Sequence, residues 1–483
     1  MHSLFSAFKY PFGHKTQHMK KTLIIAISFL FVTHGFSQNE DSMMIKKISD
    51  EILTNGKAYD NLHFLTKQIG GRLSGSAQMV KAEKWGVALM KESGADKAWL
   101  QECTVPHWVR GGKDKAEITY NGASKGARNL LVSKKELDVL ALGNSEGTKN
   151  KALTAKVILV NSFDELEKKK DSLKGMIVFY NYKFNPTYVA TFRSYGDAVQ
   201  YRGAGASRAA KYGALGVIVR SMSHSADNNP HTGSLRYDTT LPKIPAMAIG
   251  LRDADWLSNQ IMNNNVMSVT MRSNAHFLPD TIGHNVIGEL IGSEFPDEII
   301  TIGGHLDSWD PAEGAHDDGA GCVQTVEMLR AFKALGYKPK RTIRFVLFAN
   351  EENGLRGGNK YAEEAKAKNE KHVFALESDA GGFTPRGFSF GGSPEQLKKL
   401  QSWVPLLYPY GVYEITNGGG GADIGPLNRT FKTPVAELGP DSQRYFDYHH
   451  ARNDVFENVN KRELELGAVN MAALIYLIDK YGL

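Results

Sequence analysis

Cysteine is scarce in this chain, since its 483 residues contain only Cys103 and Cys322. Small secreted domains that depend on disulfides carry many more, so the sequence excludes a disulfide scaffold. We expect both thiols to be buried as small apolar residues. The length exceeds what one hydrophobic core usually organises, which favours two domains or one domain with a large insertion.

Acidic residues are missing from residues 1–37, where the charged side chains are Lys9, Lys15, Lys20 and Lys21. These four lysines account for most of the formal net charge of +6, so the rest of the chain is nearly neutral. Proteins that bind phosphate backbones need a basic surface. A nucleic-acid partner is therefore not expected.

An apolar run long enough to span a bilayer, about 20 residues, is also missing. Residues 23–32 form a shorter apolar run, which follows Lys20 and Lys21 and precedes a polar segment that ends near Ser37. These are the three parts of a secretory signal. We expect residues 1–37 to be a signal peptide, with translation starting at Met1 or Met19. The mature protein would then be secreted or periplasmic, without a stable membrane span.

The texture of the sequence changes twice after this segment. Residues 38–105 have a helical period around a glycine-rich turn, and we take them as the N-terminal part of the main domain. Residues 106–282 contain short β-branched runs separated by turn residues, together with a helical stretch that leads into the strand-like residues 216–219. We expect these residues to form a separate, β-rich insertion.

Strand and helix patterns alternate in the last segment, residues 283–483. This alternation predicts an α/β fold, with a mixed, largely parallel-stranded sheet flanked by helices. In such sheets the ligand site lies beyond the carboxyl ends of the strands. Polar residues at strand ends are therefore the candidates for function.

The first candidates follow the predicted strand 298–302. His305 and Asp307 stand two residues apart, and a metal-bound imidazole needs a carboxylate or carbonyl group on its other nitrogen. Further along, Asp317 and Asp318 precede a predicted helix. One carboxylate can bridge two cations, but adjacent carboxylates at a helix start also cap free N–H groups. Taken singly, each pair is explained as well by a structural role.

The next strand, residues 342–348, ends close to Glu351 and Glu352. Two neighbouring glutamates point in different directions, so one can bind a metal while the other accepts a proton from water. Asp379 follows the strand after that, and His450 lies near the C-terminus. Two histidines and three carboxylates at successive strand ends would suit two zinc ions.

These motifs, in this order and spacing, resemble the zinc-dependent M28 peptidase family. The resemblance runs from Asn285 to His450 in its motifs and covers most of the chain that follows the signal peptide. It implies that residues 106–282 are a protease-associated domain inserted into a peptidase domain. It also implies peptide substrates, two Zn²⁺ ions and a homodimer.

Carried over residue by residue, the resemblance makes Asp317 the bridging ligand. His305 and Asp379 would complete one zinc site, and Glu352 and His450 the other. The resemblance further implies three catalytic roles: Glu351 as the general base, Asp307 as the residue that orients His305, and Tyr445 as a hydroxyl donor to the oxyanion, with Tyr448 as the alternative.

Substrate preference stays open at this point. The family includes dipeptidases that act on unblocked dipeptides and many general aminopeptidases. Two further classes compete, namely a glutaminyl cyclase-like acyltransferase with one zinc and a receptor-like binding protein without catalysis. The complete ligand set favours a hydrolase. We also considered that Asp423, after the glycine-rich residues 418–421, meets the free amine of a substrate.

Overall fold

The structure is a computed structural model that describes residues 39–122 and 131–483. The predicted signal peptide lies outside the described residues. Within the part of the chain that the structure describes, no helix is both long enough and apolar enough to cross a membrane.

Strands and helices of the described residues are numbered in chain order. The strands are β1 Lys97–Val109, β2 Lys115–Gly122, β3 Leu131–Leu137, β4 Val139–Ala141, β5 Leu153–Ala155, β6 Val157–Val160, β7 Ile177–Tyr180, β8 Gly216–Arg220, β9 Ala246–Ile249, β10 Val266–Arg272, β11 His276–Leu290, β12 Phe295–His305, β13 Arg341–Phe348, β14 Lys371–Glu377, β15 Pro385–Gly391, β16 Glu414–Asn417 and β17 Val435–Pro440. The helices are α1 39–55, α2 Ala58–Phe64, α3 Ala77–Glu92, α4 Phe163–Lys168, α5 Thr191–Ala210, α6 Leu251–Met262, α7 Ala320–Ala334, α8 Glu351–Gly354, α9 Arg356–Ala367, α10 Pro394–Ser402, α11 Val404–Leu407, α12 Gly425–Phe431, α13 Tyr445–Tyr448 and α14 Lys461–Tyr481.

The largest sheet of the described residues has the order β1-β11-β13-β12-β14-β17-β15-β16. Its central strands β13, β12, β14 and β17 are parallel, whereas β1, β11 and β13 pair antiparallel at one edge. Helix α7 packs on this sheet and contacts α14. This arrangement confirms the predicted α/β fold with a mixed, largely parallel sheet.

The centre of this sheet follows from its sequence. In β13 every residue after Arg341 is buried, as in other parallel strands that are covered on both faces. Such a strand has nowhere to place a carboxylate until it ends. The polar residues that follow Phe348 are thus the first that can serve a site.

The chain leaves this sheet after Val109 and returns to it at His276. Strands β1 and β11 pair along their length, from Lys97 with Glu289 to Val109 with His276. Between them lie a four-stranded sheet, β3-β2-β10-β5, and a five-stranded sheet, β4-β9-β8-β7-β6. We call residues 110–275 the inserted region. Within it, α5 precedes β8, which confirms the predicted helix that leads into a strand.

The first segment contains a strand that the helical period does not predict. Helix α3 ends at Glu92, and β1 begins at Lys97. In the middle of β1, Gln101, Cys103 and Val105 are buried while Glu102 and Thr104 are exposed, which is the alternation of a strand with one covered face. The helical period of the residues before 93 dominates this segment of the sequence, so the change to the alternation of a strand is not evident from it.

Candidate metal centre

The predicted ligands come together at one edge of the large sheet. His305 is the last residue of β12, and it lies opposite Phe348, the last residue of β13. Glu352 follows in α8, and Asp379 stands two residues beyond the end of β14. Because β12, β13 and β14 are parallel, their carboxyl ends meet at the same edge.

Asp317 lies between two groups of these ligands. Its Oδ1 atom is 3.2 Å from His305 Nε2, which is 3.3 Å from Asp379 Oδ1. Its Oδ2 atom is 3.2 Å from His450 Nε2, which is 3.1 Å from Glu352 Oε2. The five residues therefore form two triads that share one carboxylate.

Buried oxygens in both triads lack hydrogen-bond partners among the described residues. These atoms are Asp317 Oδ2, Glu352 Oε1 and Asp379 Oδ1. Histidine nitrogens lie 3.2 and 3.3 Å from Asp317 Oδ2 and Asp379 Oδ1, but these contacts are not among the hydrogen bonds of the structure. Buried charged oxygens without partners are costly, and a bound cation is a common way of stabilising them. The donor set thus fits a metal in each triad.

Asp318 and His449 also lie within reach of these groups. Both oxygens of Asp318 are already occupied, because they accept hydrogen bonds from the main-chain N–H groups of His305 and Gly321 at 3.0 and 2.9 Å. Nε2 of His449 is 3.9 Å from Asp317, against 3.2 Å for His450. The geometry therefore favours the predicted residues over these two.

The centre strongly favours positive charge. Burial lowers the pKa of His450, but the carboxylates of Glu352 and Asp317 outweigh burial and raise it to about 10. Burial, together with the charge of Asp317, raises the pKa of Glu352 to about 7. The shift of His450 reflects the negative charge of its two carboxylate neighbours, which divalent cations would neutralise.

Glu351 is next to the ligand Glu352, at the wall of the same cavity. Burial raises its pKa well above the usual range; His305 opposes this shift, whereas Asp379 and Glu352 add to it. Its main-chain N–H donates to Asp307 Oδ1 at 3.0 Å. Glu351 is therefore a partly buried carboxyl group beside the proposed ligands, with a pKa raised above that of an exposed glutamate.

Asp307 contacts His305 through its main chain. Nδ1 of His305 lies 2.9 Å from the carbonyl oxygen of Asp307 and 3.8 Å from its carboxylate. The carbonyl oxygen is thus the acceptor that orients the imidazole. The carboxylate accepts instead from Glu351, so Asp307 connects a ligand with the candidate base.

The two tyrosine candidates differ in their surroundings. Tyr445 lines the cavity, and burial together with the nearby Asp317 and Asp379 raises its pKa well above the usual range. The hydroxyl of Tyr448 instead accepts a hydrogen bond from Arg444, and its ring stacks near His316. Tyr445 is therefore the tyrosine that faces the metal ligands.

Asp423 does not contribute to the cavity wall, although Gly420 and Gly421 do. It is fully buried, and burial followed by the charges of Glu377 and Glu351 raises its pKa well above the usual range. Because Asp423 is enclosed and does not line the cavity, the structure does not place its carboxyl group where a substrate amine would bind, and its burial also excludes a solvated loop at this residue.

Three supporting residues are not evident from sequence. Arg72 is fully buried and donates to the carbonyl groups of Leu306, Glu313 and Gly314 in the loop after β12. Asp454 and Arg202 contact ligands from distant parts of the chain. The sequence offers one signal for Arg72, namely its position inside the glycine-rich turn at residues 70–76.

The cavity at the centre measures about 560 Å³. The acidic part of its lining comes from Asp317, Glu351, Glu352, Asp379 and Glu437. A second part comes from the inserted region and contains Asn144, Tyr195, Arg202, Ser234 and Arg236. A volume of this size is within the range of pockets that enclose small ligands.

Comparisons with known proteins find related sequences and folds. The family model described as "Peptidase family M28" matches residues 285–475. Carboxypeptidase Q of Bos taurus is 33% identical over 422 residues, which cover 87% of this chain and 85% of that protein. The human carboxypeptidase Q has the same identity and coverage.

Solved structures extend the similarity to the whole fold. The crystal structure of a peptidase M28 precursor from Shewanella amazonensis SB2B has a TM-score of 0.83 and 32% identity, and covers 92% of this chain and 97% of that one. BSAP, a zinc aminopeptidase from Bacillus subtilis, has a TM-score of 0.60 and 20% identity over 87% and 94% of the two chains. The latter similarity is one of fold.

Proposed function

The chain belongs to peptidase family M28, and we propose that it is an exported di-zinc enzyme that hydrolyses unblocked dipeptides or the N-terminal bond of short peptides. One observation carries the proposal: Asp317 lies between the triads His305–Asp379 and Glu352–His450, and Glu351 stands beside them. A single-metal acyltransferase or a binding protein would not need this shared carboxylate.

Zinc is proposed from the chemistry of the ligands, since imidazole nitrogen and carboxylate oxygen are its usual donors together with thiolate. His305, Asp317 and Asp379 would hold one ion, and Asp317, Glu352 and His450 the other. Bound zinc would lower the pKa of a water molecule and polarise the peptide carbonyl group.

Glu351 would act as general base and then as general acid. Its carboxylate accepts a proton from the attacking water, whose oxygen forms a bond to the carbonyl carbon. When the C–N bond breaks, Glu351 returns the proton to the leaving amine. Burial raises the pKa of Glu351, which makes its carboxylate a stronger proton acceptor than an exposed one.

Tyr445 would stabilise the charge that develops on the carbonyl oxygen. Its hydroxyl is enclosed close to Asp317 and Asp379, and a phenol with a raised pKa stays protonated and can donate a hydrogen bond. Asp307 would be a positioning residue, because it acts through His305 and Glu351.

The test is hydrolysis of three substrate classes by residues 38–483, with and without added zinc. Unblocked dipeptides, N-blocked dipeptides and aminoacyl nitroanilides separate the alternatives. Cleavage of unblocked substrates that needs zinc supports the proposal, and efficient nitroanilide release would identify a general aminopeptidase. Cyclisation of N-terminal glutamine, or no reaction at all, would overturn it.

Export, dimerisation and the protease-associated character of the inserted region belong to the same proposal. Intact mass of the protein recovered from its native host would test the first, since removal of residues 1–37 leaves Gln38 at the N-terminus. Sedimentation velocity of the purified enzyme would test the second. A full-length mass, or a monomer at micromolar concentration, would contradict them.

A further inference from the structure

Arginine side chains line the catalytic cavity without the acidic partners that arginines usually have. Arg202 and Arg236 belong to the inserted region, and both contribute to the wall. Within the described residues, neither guanidinium forms an ion pair with a carboxylate. Apart from the tyrosines, the other titratable groups of this wall are the acidic residues and the histidines of the metal centre, together with Glu437, so the two arginines form a separate basic part of the cavity.

Arg202 is buried, with only 6% of its surface exposed, and its guanidinium is held by neighbouring residues. Its Nη2 donates to the hydroxyl of Tyr195 at 2.6 Å, and its Nη1 lies 3.3 Å from His450 Nδ1. Its Nε is buried without a hydrogen-bond partner in the described part of the chain. A buried cation with an unused donor is costly unless an anion completes it.

Arg236 is exposed on the same wall, and its backbone is fixed beside Arg202. Its main-chain N–H donates to the carbonyl oxygen of Gly203 at 2.9 Å, one residue after Arg202 in helix α5. The preceding residue, Leu235, donates to Gly143 at 2.9 Å. The loop that carries Arg236 is therefore anchored on two sides.

Gly233 allows this loop to approach the metal ligand closely. A Cβ atom at Gly233 would lie 2.5 Å from both Arg202 Nη1 and His450 Nδ1, and its φ of +118° is one that other residues rarely adopt. The loop, Arg202 and His450 are therefore packed as one unit. The guanidinium of Arg202 thus lies beside a proposed zinc ligand, and Arg236 lines the same cavity.

We propose that Arg236, supported by Arg202, binds the C-terminal carboxylate of the substrate and so selects free dipeptides over longer or amidated peptides. This inference rests on the proposed function and names the end of the substrate that the inserted region recognises. A guanidinium fits a carboxylate with two parallel hydrogen bonds. In a dipeptide that carboxylate is separated from the scissile bond by one residue, so both can be held in one cavity of about 560 Å³.

The experiment compares a free dipeptide, alanyl-phenylalanine, with its C-terminal amide, by following release of alanine from the zinc-loaded full-length enzyme. We expect the wild-type enzyme to prefer the acid roughly 10- to 100-fold in kcat/KM, as for a charge-assisted hydrogen bond. Arg236→Gln should reduce kcat/KM for the acid by the same factor, mainly through KM, and leave the amide unchanged. Arg236→Lys should retain part of the preference.

Arg252→Gln is the matched control, because Arg252 is an exposed arginine of the inserted region that bonds Ala226 and does not line the cavity. It should keep the full preference for the acid. Equal cleavage of acid and amide by the wild type, or an unchanged preference in Arg236→Gln, would overturn the carboxylate subsite while leaving the peptidase assignment intact. Zinc-dependent cleavage of neither substrate would instead overturn the proposed function.

Discussion

The main-chain N–H of Asp317 donates a hydrogen bond of 3.1 Å to the Oδ2 atom of Asp454, which stands 137 positions further along the chain. The other oxygen of Asp454 accepts from the N–H of His316 at 2.7 Å. Asp454 is fully enclosed, and burial raises its pKa to about 7. The carboxylate of Asp454 thus fixes the backbone at His316 and Asp317, and so the position from which the Asp317 side chain joins the two triads.

Replacing this carboxylate should weaken zinc binding without removing a ligand. We expect Asp454→Asn to lower zinc affinity roughly 10- to 100-fold, which is typical for residues that orient metal ligands. Competition with a chromophoric chelator would measure the affinity. The control is Asp441→Asn, at a partly exposed position whose carboxylate pairs with Arg386. An affinity within twofold of the wild type would mean that Asp317 is held without Asp454.

Glu351 and Asp317 should separate catalysis from metal binding. Glu351→Gln should retain zinc and lose at least 100-fold in kcat, because it removes the proton acceptor alone. Asp317→Asn should lose both zinc and turnover, since it removes the shared ligand. Elemental analysis beside steady-state kinetics would measure the two effects. Full activity in Glu351→Gln would require another base.

Arg72 should be important for stability. Arg72→Met leaves the carbonyl groups of Leu306 and Glu313 without their donor and removes one of the two donors to Gly314, whose carbonyl also accepts from the N–H of Gly319. We expect a loss of about 3 kcal/mol in the free energy of unfolding. Arg72→Lys keeps the positive charge but has fewer fixed donors. Its free energy of unfolding should lie between those of the wild type and Arg72→Met. Urea unfolding of metal-free protein gives the numbers. A change below about 0.5 kcal/mol in Arg72→Met would contradict this role.

Glu370 should contribute stability that disappears in acid. Burial opposes its ionisation, but the hydrogen bond from His372 and the contacts with Arg344 lower its pKa to about 2. A depressed pKa in the folded state stabilises the protein above the unfolded pKa of about 4.3 and stops doing so as the pH falls towards 2. At pH 7 we expect Glu370→Gln to cost about 1 to 2 kcal/mol, allowing for solvent screening.

The pH dependence is measured by urea unfolding of both proteins, free of metal, between pH 7 and pH 3. The difference between wild type and Glu370→Gln should stay constant down to about pH 5 and shrink below it. A difference that grows in acid, or one that is independent of pH throughout, would show that Glu370 is not the group responsible.

The α/β part of the fold could be predicted because its strands are buried on both faces. Residues 342–348 are apolar apart from Thr342 and Arg344, so strand type, strand end and the position of Glu351 follow together. Strand β1 could not be predicted in the same way. One of its faces is exposed and its pairing partner, β11, lies about 170 positions away, so the local pattern carried little information.

Of the five proposed ligands, His305, Glu352 and Asp379 lie at or just after buried strands that share one sheet edge, so their proximity was predictable. Their assignment as one ligand set with Asp317 and His450 came from the resemblance to the family. The supporting contacts of these ligands were not predictable. Arg202 meets His450 across 248 positions, and Asp307 contacts His305 through a carbonyl group that every residue possesses. The position of Asp423 was not predictable either. Its place after a glycine run suggests an exposed side chain, whereas the folded chain buries it.

The backbone of Thr232 contacts His450 twice, with its N–H on the carbonyl oxygen at 3.0 Å and its own carbonyl oxygen 3.3 Å from Nδ1. The inserted region is therefore not an independent module that can be exchanged between relatives without affecting His450. A chimera that carries a foreign insertion would have to reproduce the loop around Thr232, or the transplanted wall would leave a ligand imidazole without its partner. In this chain, a change to the part of the cavity wall that the inserted region supplies must also keep the contacts of Thr232 with His450.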